Sequence, residues 1–348
     1  MPKSLTPEIL RLFPKTELHC HLDGSVRPET LFDLAKAQRV KMPAESVDEL
    51  RDYMHVKSAA NLEEYLARFA VTISVMQTEE ALERIAYELA ADAFREGVMY
   101  LEVRNAPVLN VQRGLTLPQV VQSTVRGLSR AEKEFGIIGR FIVCSLRHLS
   151  PEISLDLARL AVDFKRDGVV AFDLAGGEAG YPAADHASAF AYARNNNLAV
   201  TVHAGEGYGA GSVEQAVHKC CADRIGHGTR LLEDAELTQY VNDRQIALEI
   251  CLTSNVQTKA AESYETHPFR QYFDKGMNVT LNTDNRLMSN TTLTDEYVHA
   301  VRQLGFSFDE LANVSLNGFR SAFIPWQERM TLIAEAEKRL ADLKRKLA

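Results

Sequence analysis

A closed barrel of eight parallel strands alternating with helices, a (β/α)8 TIM barrel, is the fold class this sequence predicts, on three observations. Eight short apolar, β-branched runs recur along the chain, longer stretches of helical period separate them, and no G-x-G-x-x-G follows any run. Strands alternating with helices give βαβ units and a parallel sheet, and eight strands close one. Without a glycine fingerprint after a strand, an open doubly wound sheet ranks below the barrel. The 348 residues suit one barrel or two small domains. No linker-like stretch interrupts the alternation, so residues 1–348 are expected to form a single domain.

The runs, in order, are TELHCHL (16–22), VMYLEVR (98–104), IGRFIVCSL (138–146) and VVAFDLA (169–175). LAVTVHA (198–204), DRIGH (223–227), IALEICLTS (246–254) and MNVTLNTD (277–284) complete them. Between runs, EEALERIAYELAADAFREG repeats apolar residues at three- and four-residue spacing and ends at Gly97, a helix stop. The first connection, residues 23–97, is far longer than the usual handful. It contains helical stretches, among them NLEEYLARFAVTISVM (61–76). An insertion after strand one would cover the C-terminal mouth of the barrel; it could equally be an extra packing layer, and both can hold.

Composition narrows the function. Hydrophobic residues make up 46% of the chain, enough for a large core, and 25% are charged. A net charge of −8 argues against a nucleic-acid partner or an anionic membrane surface, which need basic patches. It leaves room for an uncharged small molecule. Cys20, Cys144, Cys220, Cys221 and Cys251 form no C-x-x-C pair. The first residues, MPKSLTPEILRLFPK, interleave charges with apolar residues, unlike a signal peptide or a membrane span. A reduced, cytoplasmic protein is the expectation.

The chemistry gathers at strand ends. Run one ends in His19-Cys20-His21, and alternation along a strand puts both imidazoles on one face. Run five ends in His203, followed by Ala-Gly-Glu206; run six ends in His227; run eight ends in Thr283-Asp284-Asn285. Four of the ten histidines thus stand on the face where barrel active sites are built. The other six, His55, His148, His186, His218, His267 and His299, fall in helices or loops, where solvated or capping roles are expected. Three neutral imidazoles and a carboxylate suit zinc and leave a position for water, whose pKa such an ion lowers toward roughly 7. Run four offers no bridging lysine, because Lys165 lies before it, so a single Zn2+ per chain is expected.

TELHCHLDGS, TVHAGEG, DRIGHG and LNTDN resemble, in order and spacing, the motifs of the adenosine deaminase family over essentially the whole chain. The resemblance implies a one-zinc (β/α)8 barrel hydrolysing adenosine, and 2′-deoxyadenosine with it, to inosine and ammonia. By position it makes His19, His21, His203 and Asp284 the zinc ligands, with His21 also beside the substrate. Glu206 corresponds to the proton shuttle and His227 to the residue that orients the attacking oxygen, with Asp284 assisting. Adding water to C6 sacrifices aromaticity, and protonating N1 from a Glu206 of raised pKa would offset that cost. The plainer alternatives are a helix-capping Glu206 and a satisfied core His227.

Recognition residues follow the same resemblance. Asp23 matches a contact to ribose hydroxyls, against the alternative of an Asp-Gly turn. Gly176 matches a backbone donor to purine N3, against a turn glycine. Leu62, Tyr65, Leu66 and Phe69 share one helical face and match a lid over the base, against plain core. One departure stands out: many members carry a second aspartate that donates to N7, where this chain has Asn285, still an N–H donor. Rival substrates within the family are adenine, whose deaminases resemble this chain but carry glutamate at the Asp23 position, and a 5′-substituted adenosine such as aminodeoxyfutalosine. The compact zinc deaminases need H-x-E with P-C-x-x-C, and neither is present. A non-catalytic purine-binding barrel should have lost Glu206 or a ligand, and this chain has not.

Overall fold

The computed structural model describes residues 5–57, 65 and 68–347. Eight parallel strands run in the order of the sequence: β1 Lys15–His21, β2 Val98–Asn105, β3 Ile138–Leu146, β4 Val169–Ala175, β5 Ala199–Ala204, β6 Arg224–His227, β7 Ala247–Ile250 and β8 Val279–Leu281. Each pairs in parallel with the next, from Lys15↔Val98 in the first pair to Ile250↔Leu281 in the last, with register shifts in the β1–β2 and β3–β4 pairs. The ring closes where Cys20 bridges Asp284: His21 N donates to Asp284 O (2.7 Å) and Asp284 N donates to His19 O (2.9 Å). The closure therefore falls on two of the strand ends that carry chemistry.

Two runs end earlier than their composition predicts. β7 stops at Ile250, and Leu252–Gln257 is a helix rather than the rest of a strand. A short apolar, β-branched segment does not reveal by periodicity whether it is strand or buried helix. β8 spans only Val279–Leu281, because the Asn282 side chain takes over from the backbone and accepts from Leu18 N at 2.8 Å. Between β1 and β2 lie the helices Pro28–Gln38, Val47–Met54, Phe69–Ile73 and Glu79–Arg95. The helix expected over 61–76 ends at Ile73, and Leu62 and Leu66 lie outside the described residues. Glu79–Arg95 begins on a Thr78 side-chain cap and is followed by Gly97 at φ +84°. A Cβ at Gly97 would lie 2.5 Å from Phe13 O, so only glycine allows the chain to turn into β2 there.

Beneath the mouth, the barrel interior holds a charged layer. Arg104 reaches Asp173 (3.0 Å), Glu249 (2.8 Å) and the Leu18 carbonyl (2.6 Å). Arg224 pairs with Glu102 and with Glu249 (2.6 Å). All five charged side chains are buried. Isolated charges could not survive there; paired and hydrogen-bonded ones can. Apolar residues between sheet and helices supply the core proper, for example Val103, Phe141, Phe172 and Val202.

Candidate active site

Four donors from three strand ends converge at the mouth. One ligand atom each from His19, His21, His203 and Asp284 fall within 4.8 Å of one another. His21 Nε2 lies 3.0 Å from His203 Nε2, and both His19 Nε2 and His21 Nε2 lie 3.4 Å from Asp284 Oδ1. Asp284 sits at φ +60° and His227 at φ +63°, a left-handed backbone that costs a non-glycine residue about 1–2 kcal/mol. Strain of that kind is retained where a side chain must point to one place.

The layer below sets the tautomers. His19 Nδ1 donates to Glu249 (2.8 Å) and His203 Nδ1 donates to Asp173 (3.1 Å), so each ring turns a bare Nε2 toward the mouth. Burial would lift both carboxyls, but Arg104 with Arg224 at Glu249, and His203 with Arg104 at Asp173, hold them well below the usual range. They stay anionic and fix the imidazoles. Burial pushes His21 well down and His203 down, favouring neutral rings. Burial also opposes charge on His19, yet the Asp284 and Glu249 carboxylates outweigh it and raise that pKa. The site thus asks for positive charge at His19 Nε2, a buried atom with no hydrogen-bond partner among the described residues. Lone pairs facing one another across 3 Å, beside a carboxylate, fit a cation.

Around this cluster lies a cavity. His21, Asp23, Gly176, Glu206, His227 and Asn285 line it, as do Tyr65 and Phe69 of the expected lid face, with Ile73 one turn beyond. Every site residue named from sequence that is described therefore reaches the cavity or the donor cluster. Asp284 Oδ2 accepts from Ser254 (2.6 Å), and Glu206 Oε1 accepts from Thr258 (3.1 Å). Glu206 Oε2 lies 3.5 Å from His227 Nε2. Glu178 accepts from the backbone N–H groups of Gly205, Glu206 and Gly207 at 2.8–3.1 Å and holds the loop that carries Glu206. Burial raises the pKa of the Asp23 carboxyl to about 7, and its Oδ1 has no hydrogen-bond partner among the described residues. Gly24 has no room for a Cβ, which would fall 1.8 Å from Asn285 Oδ1.

Sequence reasoning missed the supports. Arg104, Asp173 and Glu249 are charges inside apolar runs, a signal of buried pairing that was there to read. Ser254 was hidden by the run read as strand to residue 254, and Asn255 and Thr258 lie just beyond that run and belong to no motif. Two of the six outlying histidines, His186 and His267, are buried rather than solvated, though His267 keeps the capping role by accepting from Phe269 N (3.1 Å) at the start of the helix Phe269–Asp274. Each is tied into the interior, His186 by Ser154 (2.6 Å) and His267 by Asn255 (3.2 Å).

Residues 14–339 match the sequence model of the adenosine deaminase family. An adenosine deaminase of Mycobacterium ulcerans is 40% identical over 96% of this chain and 96% of its own length. A probable adenosine deaminase of Dictyostelium discoideum is 40% identical over 97% of this chain, which spans only 44% of that longer protein. The solved adenine deaminase of Arthrobacter aurescens superposes with a TM-score of 0.88 at 27% identity, over 93% of this chain and 98% of its own.

Proposed function

Because the chain belongs to the adenosine deaminase family, we propose that it converts adenosine and water into inosine and ammonia. The observation that carries this reading is the convergence of the four donor atoms with Glu206 and His227 on one cavity. His19, His21, His203 and Asp284 would hold zinc, and the bare, buried His19 Nε2 supports the fit. The ion would supply a water of pKa near 7 as nucleophile. One ion per chain is the reading, since Lys165 is turned to the Asn196 carbonyl (2.6 Å) and bridges nothing at the mouth. Elemental analysis should return one zinc; two would remove the mononuclear mechanism.

The chain's own groups would then divide the work. Glu206 gives a proton to N1 as oxygen adds to C6, then carries one to the departing amine. His227 and Asp284 hold the oxygen against C6. Asp23 accepts from the ribose hydroxyls, the Gly176 N–H meets N3 and Asn285 donates to N7. Tyr65 and Phe69 wall the base.

Substrate class follows from charge. The cavity is lined by the carboxylates of Asp23, Glu206 and Asp284, with no lysine or arginine among its described lining residues. Without a lysine or arginine to pair with it, a phosphate would find no side-chain cation in this lining, which favours a neutral nucleoside over a nucleotide. The second reading, adenine, is consistent with the Arthrobacter structure and opposed by Asp23. The deciding experiment mixes purified protein with adenosine, adenine or a 5′-substituted adenosine and follows the ultraviolet change on deamination. Adenosine should react fastest, and equal kcat/KM for adenosine and adenine would refute the ribose contact. Among the described residues no helix is long and apolar enough to cross a membrane.

A further inference from the structure

Asn255 and His267 take no part in the chemistry above, yet they form a hydrogen-bond chain that ends on His227. The Phe269 backbone N–H donates to His267 Nδ1 (3.1 Å). His267 Nε2 lies 3.2 Å from Asn255 Oδ1, and Asn255 Nδ2 lies 3.0 Å from His227 Nδ1. All three side chains are buried.

The first link dictates the direction of the rest. A peptide N–H only donates, so His267 Nδ1 bears no proton and its single N–H is on Nε2. Burial agrees, pushing the His267 pKa down to about 3 and keeping the ring neutral. That N–H needs an acceptor, which orients the Asn255 carboxamide with Oδ1 toward His267. The flipped amide would set N–H against N–H. Asn255 Nδ2 must then donate to His227 Nδ1, which leaves the His227 proton on Nε2. We propose that Asn255 and His267 are positioning residues that hold His227 as its neutral Nε2–H tautomer, able to donate to the reacting oxygen and unable to take a proton from it. The proton released by the water must then pass to Glu206, whose Oε2 is 3.5 Å from His227 Nε2. The inference rests on the deaminase reading only for what His227 faces; the tautomer itself comes from the relay.

Imidazole 15N NMR of zinc-loaded enzyme tests this without turnover, with His227 assigned by the signal lost in His227→Gln. The parent should show a protonated Nε2 and a bare Nδ1 on His227. Asn255→Asp is isosteric but offers only acceptors. It should draw a proton onto His227 Nδ1 and lower kcat about a hundredfold or more, with KM within about threefold and zinc retained. His267→Gln keeps an N–H donor for Asn255 and should hold kcat within about threefold. A proton on His227 Nδ1 in the parent, in a neutral or a cationic ring, would overturn the proposal. So would an Asn255→Asp enzyme within threefold of the parent kcat. Should that variant fail to fold, the parent spectrum still decides. An enzyme that shows the Nε2–H tautomer but deaminates no purine would sink the function and leave the relay standing.

Discussion

Two layers of the barrel interior, one directly above the other, are built in opposite ways. In the lower layer two guanidiniums, Arg104 and Arg224, are shared among three carboxylates, Glu102, Asp173 and Glu249, and each carboxylate pairs with at least one of them. Glu249 alone accepts from Arg104, Arg224, His19 and Thr201, and only Arg104 Nε lacks a partner. In the upper layer His19, His21, His203 and Asp284 face one another with lone pairs, and His19 Nε2, Asp23 Oδ1 and Asn285 Oδ1 have no partner among the described residues. Buried polar atoms are normally satisfied, so the contrast has a meaning. Apart from Arg104 Nε the lower layer is satisfied from within, whereas the upper one is complete only with an ion and a substrate. The Glu249–His19 and Asp173–His203 bonds join them and pass rigidity from one to the other.

That division predicts which variants damage activity and which damage stability. The largest effect should come from Glu206→Gln, in the upper layer. A general acid/base typically contributes about 10²–10⁴-fold, and one serving two proton transfers contributes more. Turnover should vanish while zinc content, purine binding and the unfolding midpoint stay put. A variant keeping more than about a tenth of parental turnover would remove Glu206 from the shuttle role, and one that lost zinc would make it a ligand.

Next in size is Glu249→Gln, in the lower layer. Breaking a buried ion pair by removing one partner costs about 3–5 kcal/mol, and losing the carboxylate behind a ligand histidine typically weakens metal binding about 10–100-fold. Denaturant unfolding should shift accordingly, and zinc should be lost to weaker chelators. The sign with pH follows from the depressed carboxyl. Its contribution is present above the unfolded pKa of about 4 and is lost as pH falls toward the lower folded value. The variant's stability should therefore depend less on pH below about 4 than the parent's. An unchanged midpoint would mean the lower layer is not what holds the barrel.

The same contrast explains what was legible beforehand. Upper-layer residues stand at strand ends in compact motifs, so His19, His21, His203, Glu206, His227 and Asp284 could be singled out there and given roles by the resemblance those motifs carry. Lower-layer residues sit singly inside apolar runs and find partners several strands away, as Arg104 on β2 finds Glu249 on β7. No local pattern encodes such a pairing. The strand limits were read well for β3 and β4 and poorly for β7 and β8. There the chain leaves the sheet within a few residues to place Ser254 beneath Asp284.

A smaller effect belongs to Asp23. If its unpartnered Oδ1 accepts from ribose, adenosine should outrun adenine by roughly 10⁴-fold in kcat/KM, because a polar site rejects an analogue lacking its partner. Asp23→Ala should narrow that gap by about 2–3 kcal/mol, almost wholly through adenosine. Slower adenine turnover in the variant, with adenosine unaffected, would place the carboxylate elsewhere.

The smallest effect, and the sharpest test of the upper layer, concerns Asn285. It lines the cavity beside Asp284, and it can approach β1 only because residue 24 is glycine. If its amide donates to purine N7, Asn285→Ala should lose about 1–2 kcal/mol of transition-state stabilisation with adenosine. With 7-deazaadenosine, which has no acceptor at that position, the same substitution should change kcat/KM hardly at all. Gly24→Ala offers an independent route, since its Cβ would collide with Asn285 Oδ1 and displace the amide without removing it. It should reproduce the Asn285→Ala loss on adenosine, and the double variant should be no worse than the more impaired single one, because both remove one interaction. Additive losses, or an Asn285→Ala penalty equal for the two nucleosides, would mean that Asn285 only shapes the loop after β8. The upper layer would then hold one substrate contact fewer than proposed.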